Sequence, residues 1–320
     1  MADKVIVARE IPAAGLRLLQ EAGYEPTTLS EAPPGRDALL DAVPGASALL
    51  TTVTEKIDAE ILDAAGDSLR VIANMAVGYD NIDVEAATER GVSVTNTPGV
   101  LDETTADTAF MLLLAAARRL GEAERMLRAG QWKAWGPKQL TGPDVWGKTL
   151  GIVGMGRIGE AVARRARGFG MNILYYARSA KPEAESGLEA ERRSLDDLLR
   201  QSDFVSIHTP LNDDTHHLIG ARELSLMGER AVLVNTSRGA VVDEAALAEA
   251  LAEGEIFSAG LDVYEEEPKV HPKLMDLDNV VLAPHIGSAS IETRDKMAGM
   301  AAGNIVAALK GETPPNSVNV

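Results

Sequence analysis

The sequence predicts an α/β protein made of two doubly wound, parallel-sheet halves. Three observations predict it. Short β-branched runs alternate with Ala/Leu-rich amphipathic stretches along the whole chain, the pattern of parallel strands joined by crossover helices. A glycine-rich turn, Gly154-Met155-Gly156-Arg157-Ile158-Gly159, falls where one strand run passes into one helix run. And 320 residues are too many for a single simple core.

In the first half, strand runs are expected at Val5–Ala8, Ala46–Thr51, Leu69–Ala73 and Val92–Thr95, with a helix at Ala13–Ala22 that gathers Leu16, Leu18 and Leu19 on one side. That half closes at the turn Asn96-Thr97-Pro98-Gly99. Asp102 and Thr104 are placed to cap a helix running to about Leu120. Its centre, Phe110 to Leu114, is apolar on nearly every face, which predicts burial all round, between domains or between subunits, and makes a homodimer the expected assembly. The second half offers strands at Thr149–Val153, Asn172–Tyr176, Phe204–His208, Ala231–Asn235, Ser258–Asp262 and Asn279–Ala283. The tail Ile291–Leu309 has the spacing of one long helix. Packed back on the first half, it would build that half from both chain ends.

Composition narrows the function. The chain is 45% hydrophobic and 25% charged, ordinary for a globular protein, and with 4% aromatics its cores must be made of Ala, Val, Leu and Ile. Lys+Arg number 31 against Asp+Glu 48, a net charge of -17. Such a surface repels nucleic acid and anionic membranes, so an anionic ligand needs a local basic pocket. There are no cysteines, which excludes disulfides, thiolate nucleophiles and Cys-ligated metals and fits a cytoplasmic protein. The start MADKVIVARE places charges where a signal peptide needs an apolar run. Ala109 to Ala117, the longest apolar stretch, is far short of the ~20 residues of a membrane span.

The glycine turn follows a strand and opens the helix Glu160–Arg167, the context of a dinucleotide site. Gly154 makes the tight turn, Gly156 admits a pyrophosphate to the backbone, and Gly159 lets helix and strand pack closely. The helix N-terminus supplies N–H groups and partial positive charge for the phosphates. An NAD site carries Asp or Glu about 20 residues on, to grip the ribose 2′-OH. Here the second strand ends Tyr176-Ala177-Arg178-Ser179, with no acid before Glu183. Arg178 and Ser179 suit a 2′-phosphate instead, so NADP(H) is favoured, with NAD(H) as the alternative.

In an open parallel sheet, ligands bind beyond the carboxyl ends of the strands. Three segments fall there: Asn235 to Gly239, Asp262 to Pro268, and Pro284 to Ser288. They supply what carbonyl reduction needs. His285 can protonate the oxygen as hydride reaches carbon, and Glu267 can stabilise the imidazolium. Arg238 offers a fork for a substrate carboxylate and polarises the neighbouring carbonyl. A capping histidine, a solvated acidic loop or an arginine at a helix end would read the same way, so composition alone leaves these roles open. Of the other histidines, His216 and His217 sit in a polar loop and His271 in a proline-rich one. His208 precedes Thr209-Pro210, which suits a cofactor wall better than proton transfer.

The set GMGRIG, HTPLNDDTHHLIG, NTSRGAVVDE, AGLDVYEEEP and NVVLAPHIGS resembles the D-isomer-specific 2-hydroxyacid dehydrogenases over essentially the whole chain. Asn74 to Asp83, with Asn96-Thr97-Pro98, most resembles the glyoxylate/hydroxypyruvate reductases among them. The resemblance implies two Rossmann-like domains, a cofactor domain over 100–287 inserted into a substrate domain of 1–99 and 288–320. It implies catalysis by Arg238, Glu267 and His285, and a substrate carboxylate held by the backbone N–H groups of Val77 and Gly78 together with Arg238. Asp262 would meet the nicotinamide carboxamide, Thr209 and Pro210 the adenine side, and Thr105 and Thr236 the nicotinamide or its ribose. The same matching brings Gly154, Gly156, Arg157, Ile158, Arg178, Ser179, Thr215, His285 and Gly287 to the cofactor. Trp132 and Trp135 match the segment that reaches over a partner's active site in dimeric relatives. Val77 stands where phosphite dehydrogenases carry lysine, and nothing resembling a regulatory domain follows, so a small 2-keto acid is the expected substrate, reduced to the D-2-hydroxy acid. NAD-dependent D-lactate-type, hydroxyisocaproate and D-3-phosphoglycerate dehydrogenases are the alternatives within the family. A corepressor-like NAD(H) sensor is the alternative outside enzymes.

Overall fold

The computed structural model describes residues 3–30 and 32–319, which divide into two compact units, 1–101 with 289–320 and 102–288.

The first unit is a five-stranded sheet: β1 (Val5–Val7), β2 (Pro26–Thr28), β3 (Ala48–Thr51), β4 (Val71–Asn74) and β5 (Ser93–Thr95), in the order β2-β1-β3-β4-β5. All pairs are parallel. β1, β3 and β4 are buried along their whole length, so their sequences read as unbroken apolar runs rather than alternating ones. β2, Pro-Thr-Thr, was not expected from the sequence. It is a half-exposed edge strand, the one place a sheet tolerates a leading proline and polar threonines. The helix Ile291–Leu309 is capped by Ser290, whose Oγ accepts the Thr293 N–H at 3.2 Å. It packs on the helix Ala13–Glu21 and on β3 and β4. A Cβ on Gly15 would lie 2.8 Å from the Ala298 carbonyl oxygen, so the two helices meet backbone to backbone. Gly15, Ala298, Ala301 and Ala302 permit that approach, which is how a chain poor in aromatics closes a core.

The second unit is a seven-stranded sheet: β6 (Thr149–Val153), β7 (Asn172–Tyr176), β8 (Ala190–Arg192), β9 (Phe204–Ile207), β10 (Val232–Asn235), β11 (Ser258–Leu261) and β12 (Val280–Leu282). The order is β12-β11-β10-β9-β6-β7-β8, again parallel throughout. The chain runs outward from β6 to β7 and β8, then returns to β9 on the other side of β6. This switch of direction opens a crevice at the carboxyl ends of β6 and β9. β8 was not expected either; Ala-Glu-Arg on an edge carries no apolar signal.

The helix over 102–117 differs from expectation in two ways. Asp102 is its first residue and Thr104 lies within its first turn, so neither stands ahead of it as a cap. It stops at Ala117, where Arg119 takes a left-handed φ of 53°, and Leu120 opens a separate helix, Leu120–Arg128. It is also not buried all round. Met111 is 48% exposed, while the rest of the apolar surface packs on β10, β11 and the helix Arg157–Gly168 within the same unit. A Cβ on Gly260 would lie 2.9 Å from the Leu112 Cβ, which explains a glycine in the middle of β11.

Candidate active site

The glycine turn sits at the switch point. Gly154 has φ 102°, and a Cβ there would come within 2.7 Å of the His208 carbonyl carbon and the Thr209 nitrogen, so the backbones after β6 and β9 touch. Gly156 is the N-cap of the helix Arg157–Gly168, is extended, and has nothing within 4 Å of the side it would present. Gly159 rests against the Gly154 carbonyl. The three glycines thus divide the work as turn, open floor and close packing. Arg157 and Ile158 form the helix's first turn, whose N–H groups lack helical acceptors. A nicotinamide dinucleotide fits this floor, and it fits the Thr236 hydroxyl just past β10, which is buried with no partner.

Past β7, Arg178 and Ser179 are exposed on a loop that is held from beneath. Arg192 Nη2 donates to the carbonyls of Ala177 and Arg178, both at 2.9 Å. The buried Tyr175 hydroxyl accepts from the Lys181 N–H at 2.8 Å and donates to Glu185 Oε1 at 2.5 Å. Burial, then the Glu185 carboxylate, push that phenol above its ordinary range. Past β9, Thr209 and Pro210 continue the wall. The Thr215 hydroxyl turns inward, donating to the Pro210 carbonyl at 2.7 Å and accepting from the Asn212 N–H at 2.8 Å, so it folds the loop. His208 pairs with Ser206 Oγ at 2.8 Å, and burial pushes its imidazole down to about 3. Neutral and tied, it is no proton donor.

The three remaining strand ends come together. At the end of β10, Asn235 Oδ1 accepts from the Ser237 N–H at 3.0 Å, and its Nδ2 donates to the Arg238 carbonyl at 2.8 Å, a side-chain-closed turn that presents Arg238. Past β11, Asp262 bonds forward to the segment after β12: Oδ1 accepts the Ile286 N–H and Oδ2 the Gly287 N–H, each at 2.7 Å. Its own carbonyl accepts the His285 N–H at 3.0 Å. Burial holds the Asp262 carboxyl above its ordinary range. These bonds enforce a left-handed φ of 55° at His285, a conformation uncommon for any residue with a side chain. Thr105 lies beside the same turn, 3.7 Å through its hydroxyl from where a Gly287 Cβ would be.

His285 Nδ1 is 2.8 Å from Glu267 Oε2, and Glu267 Oε1 accepts the Tyr264 N–H at 3.1 Å. Burial disfavours the Glu267 charge. The hydrogen bond and charge of His285, the Tyr264 N–H and the charge of Arg238 outweigh it, and the carboxyl lies below its ordinary range. An ionised carboxylate only accepts, so Nδ1 carries hydrogen and Nε2 is the ring nitrogen left for proton exchange.

In the first unit, Val77 and Gly78 follow β4. Asn96 Nδ2 donates to the Val77 carbonyl at 2.8 Å and Asn74 Nδ2 to the Gly78 carbonyl at 2.9 Å. Both carbonyls are therefore engaged within the unit, away from the two N–H groups. Among the described residues no group of three His, Cys, Asp or Glu is placed to hold a metal, and no helix is long and apolar enough to cross a membrane.

Residues 110–287 match the family model of the D-isomer specific 2-hydroxyacid dehydrogenase, NAD binding domain. The chain belongs to this family. It is 54% identical to a glyoxylate reductase of Thermococcus litoralis, covering 100% of this chain and 97% of that one, and 55% identical to a glyoxylate reductase of Korarchaeum cryptofilum, covering 100% and 96%. Among solved structures it resembles a Thermus thermophilus protein with a TM-score of 0.93 at 48% identity, covering 98% and 99% of the two chains. An NADPH-dependent glyoxylate/hydroxypyruvate reductase of Sinorhizobium meliloti, in complex with NADP and malonate, superposes with a TM-score of 0.85 at 35% identity, covering 99% and 97%.

Asp262, expected at the nicotinamide, also positions His285 through the backbone. Three residues of this D-2-hydroxyacid dehydrogenase escaped sequence reasoning: Arg192, which fastens the Arg178 loop, and Asn74 and Asn96, which fasten the loop of Val77 and Gly78. Asparagines at strand ends were the available signal for the last pair; nothing in the sequence pointed to Arg192.

Proposed function

We propose that this oxidoreductase reduces glyoxylate and hydroxypyruvate to their 2-hydroxy acids with NADPH. The observation that carries the reading is the His285–Glu267 pair at 2.8 Å, held at neighbouring strand ends with Arg238 in the unit that bears the glycine turn. The names of the two archaeal relatives and of the Sinorhizobium meliloti neighbour support the substrate and the phosphorylated cofactor.

A reduced nicotinamide, when bound, supplies the hydride. Gly154, Gly156 and the first turn Arg157-Ile158 would hold its pyrophosphate, Thr209 and Pro210 its adenine side, and Thr105, Thr236, Asp262 and Gly287 its nicotinamide end. Arg178 and Ser179 would take the 2′-phosphate, with Arg192 keeping their loop in place. The Val77 and Gly78 N–H groups would take the substrate carboxylate, as would the Arg238 guanidinium. His285 Nε2 gives the proton to the C2 oxygen, and the imidazole left behind is reprotonated from solvent. Glu267 keeps the ring oriented through Nδ1.

A second copy of this chain is the expected partner. The helix Leu120–Arg128 buries none of its residues, Leu127 is 61% exposed and Trp135 80% exposed, all in the second unit. Sedimentation equilibrium at micromolar concentration gives a dimer mass on this reading and a monomer mass against it.

The decisive assay follows nicotinamide absorbance with glyoxylate, hydroxypyruvate, pyruvate and phosphohydroxypyruvate, each with NADH and NADPH. Highest kcat/KM is expected for the first two with NADPH. A tenfold preference for NADH removes the Arg178/Ser179 assignment, and preference for phosphohydroxypyruvate removes the substrate. His285→Ala should lower kcat by on the order of 10²–10⁴; an unchanged rate removes His285 from the chemistry.

A further inference from the structure

The loop carrying Glu267 is closed at its base by a carboxylate outside the assigned machinery. Glu244 is 8% exposed. Its Oε2 accepts the Glu265 N–H at 2.8 Å and its Oε1 the His271 N–H at 2.6 Å, so one side chain grips both ends of 265–271, with Glu267 between. The grip is reciprocal. Glu265 Oε1 accepts the Glu244 N–H at 2.6 Å and faces His217 Nε2 at 3.2 Å. Within the loop the Lys269 N–H bonds the Glu266 carbonyl at 2.9 Å and Glu267 Oε1 accepts the Tyr264 N–H at 3.1 Å, so Glu244 holds the two ends and one further bond holds Glu267 between them. Glu244 also lies six residues after Arg238, just past the short 3₁₀ turn Gly239–Val241, where Gly239 abuts the Tyr264 backbone. The stretch that presents the arginine and the loop that presents the carboxylate are therefore joined twice.

We propose that Glu244 is a positioning residue for the reaction: by fastening both ends of the 265–271 loop it sets where the Glu267 carboxylate meets the imidazole of His285. The inference rests on Glu267 and His285 acting as assigned above. Buried charged acceptors bonded to two backbone N–H groups resist displacement, because either N–H, once released, would be left without an acceptor. A shift of about 1 Å in a reacting group is enough to cost on the order of 10²-fold in rate.

The test is the pH profile of kcat/KM for glyoxylate reduction by NADPH in wild type, Glu244→Gln, Glu244→Ala, Glu267→Gln and the Glu244→Gln/Glu267→Gln pair. Reduction consumes a proton from His285, so activity falls on the alkaline side. Glu267 and Asp262 bear on His285, and Arg238 bears on Glu267; Glu244 meets Glu265 and the His271 backbone, with His217 on Glu265 behind it. Glu267→Gln should move the alkaline limb to lower pH. Glu244→Ala should move it the same way and lower kcat/KM by roughly 10- to 100-fold. Glu244→Gln, which keeps one acceptor, should fall between. The double variant should shift no further than Glu267→Gln alone, because Glu244 acts through Glu267.

Each contrary result is distinct. If Glu267→Gln leaves the limb in place, the assignment of Glu267 fails and the proposal with it. If Glu267→Gln shifts the limb while both Glu244 variants only reduce the amount of folded enzyme, with wild-type profiles per active site, Glu244 is structural and the proposal is overturned. Should Glu244→Ala not fold, Glu244→Gln decides alone.

Discussion

Gly239 lies so close to the carbonyl of Tyr264 that no methyl group fits between them. This contact joins the segment after β10, which presents Arg238, to the segment after β11, which presents Glu267. Both sides are backbone, so neither can rotate aside. Gly239→Ala should cost about 2 kcal/mol of stability or more, as forced overpacking does, and lower kcat at least tenfold in the protein that folds. Chemical denaturation and steady-state rates check both. Wild-type values for each would mean that the two segments are independent.

The glycine turn gives a contrast between two similar substitutions. Gly154→Ala meets backbone at 2.7 Å and a φ of 102°, so it should destabilise the fold by about 2 kcal/mol. Gly156→Ala meets nothing within 4 Å and has extended backbone, so its melting temperature should match wild type. Its methyl would instead occupy the floor assigned to the pyrophosphate, raising KM for NADPH tenfold or more while KM for glyoxylate changes little. A Gly156→Ala enzyme with unaltered dinucleotide affinity would take the phosphates away from this turn.

Asn96 offers a test confined to the first unit. Removing its 2.8 Å bond to the Val77 carbonyl in Asn96→Ala should loosen the loop assigned to the substrate carboxylate. KM for the keto acid should rise about 3- to 10-fold, the equivalent of ~1 kcal/mol for a lost hydrogen bond, with KM for NADPH near wild type. If KM for NADPH rises instead and that for the keto acid does not, Val77 and Gly78 do not bind the substrate.

The pH dependence of stability should carry a signature of His208. Desolvation of the ring pushes its imidazole down to about 3 in the folded protein, against ~6.5 for an ordinary histidine. Between those values the unfolded chain binds a proton that the folded chain refuses. The contribution of neutral His208 is therefore complete above pH ~6.5 and is lost as pH falls toward 3. His208→Gln, which keeps a nitrogen near Ser206, should lose about 2–3 kcal/mol less than wild type between about pH 7 and pH 4.5. Parallel urea-unfolding curves for the two proteins across that range would refute it.

How far the fold was legible follows from where its elements lie. β6, β7 and the helix Ile291–Leu309 have the ends expected from sequence, because buried parallel strands and capped helices write continuous signals. β2 and β8 were illegible, being three-residue edge strands of mixed polarity whose pairing depends on a distant neighbour. The break at Arg119 was missed because apolar spacing carries across it, and nothing in Arg118-Arg119 marks a turn. Within the candidate site, the glycines, His285, Glu267 and Arg238 could be named from their places after strand runs. Their supports could not. Glu244 and Arg192, and Asp262 in its hold on the His285 turn, act through backbone groups, and a backbone N–H or carbonyl has no identity in a sequence.

By itself, then, the sequence determined the fold class and the family, and it nominated the side chains assigned to a dinucleotide and a keto acid, since chemistry of that kind demands particular residue types at particular strand ends. Only the tertiary structure decided which groups hold them. The 2.8 Å pairing of His285 with Glu267 and the left-handed turn at His285 arise from hydrogen bonds between segments separated by 18 to 25 residues. Such bonds are set by how strands lie side by side in a sheet, a relationship between distant parts of the chain that no local pattern records.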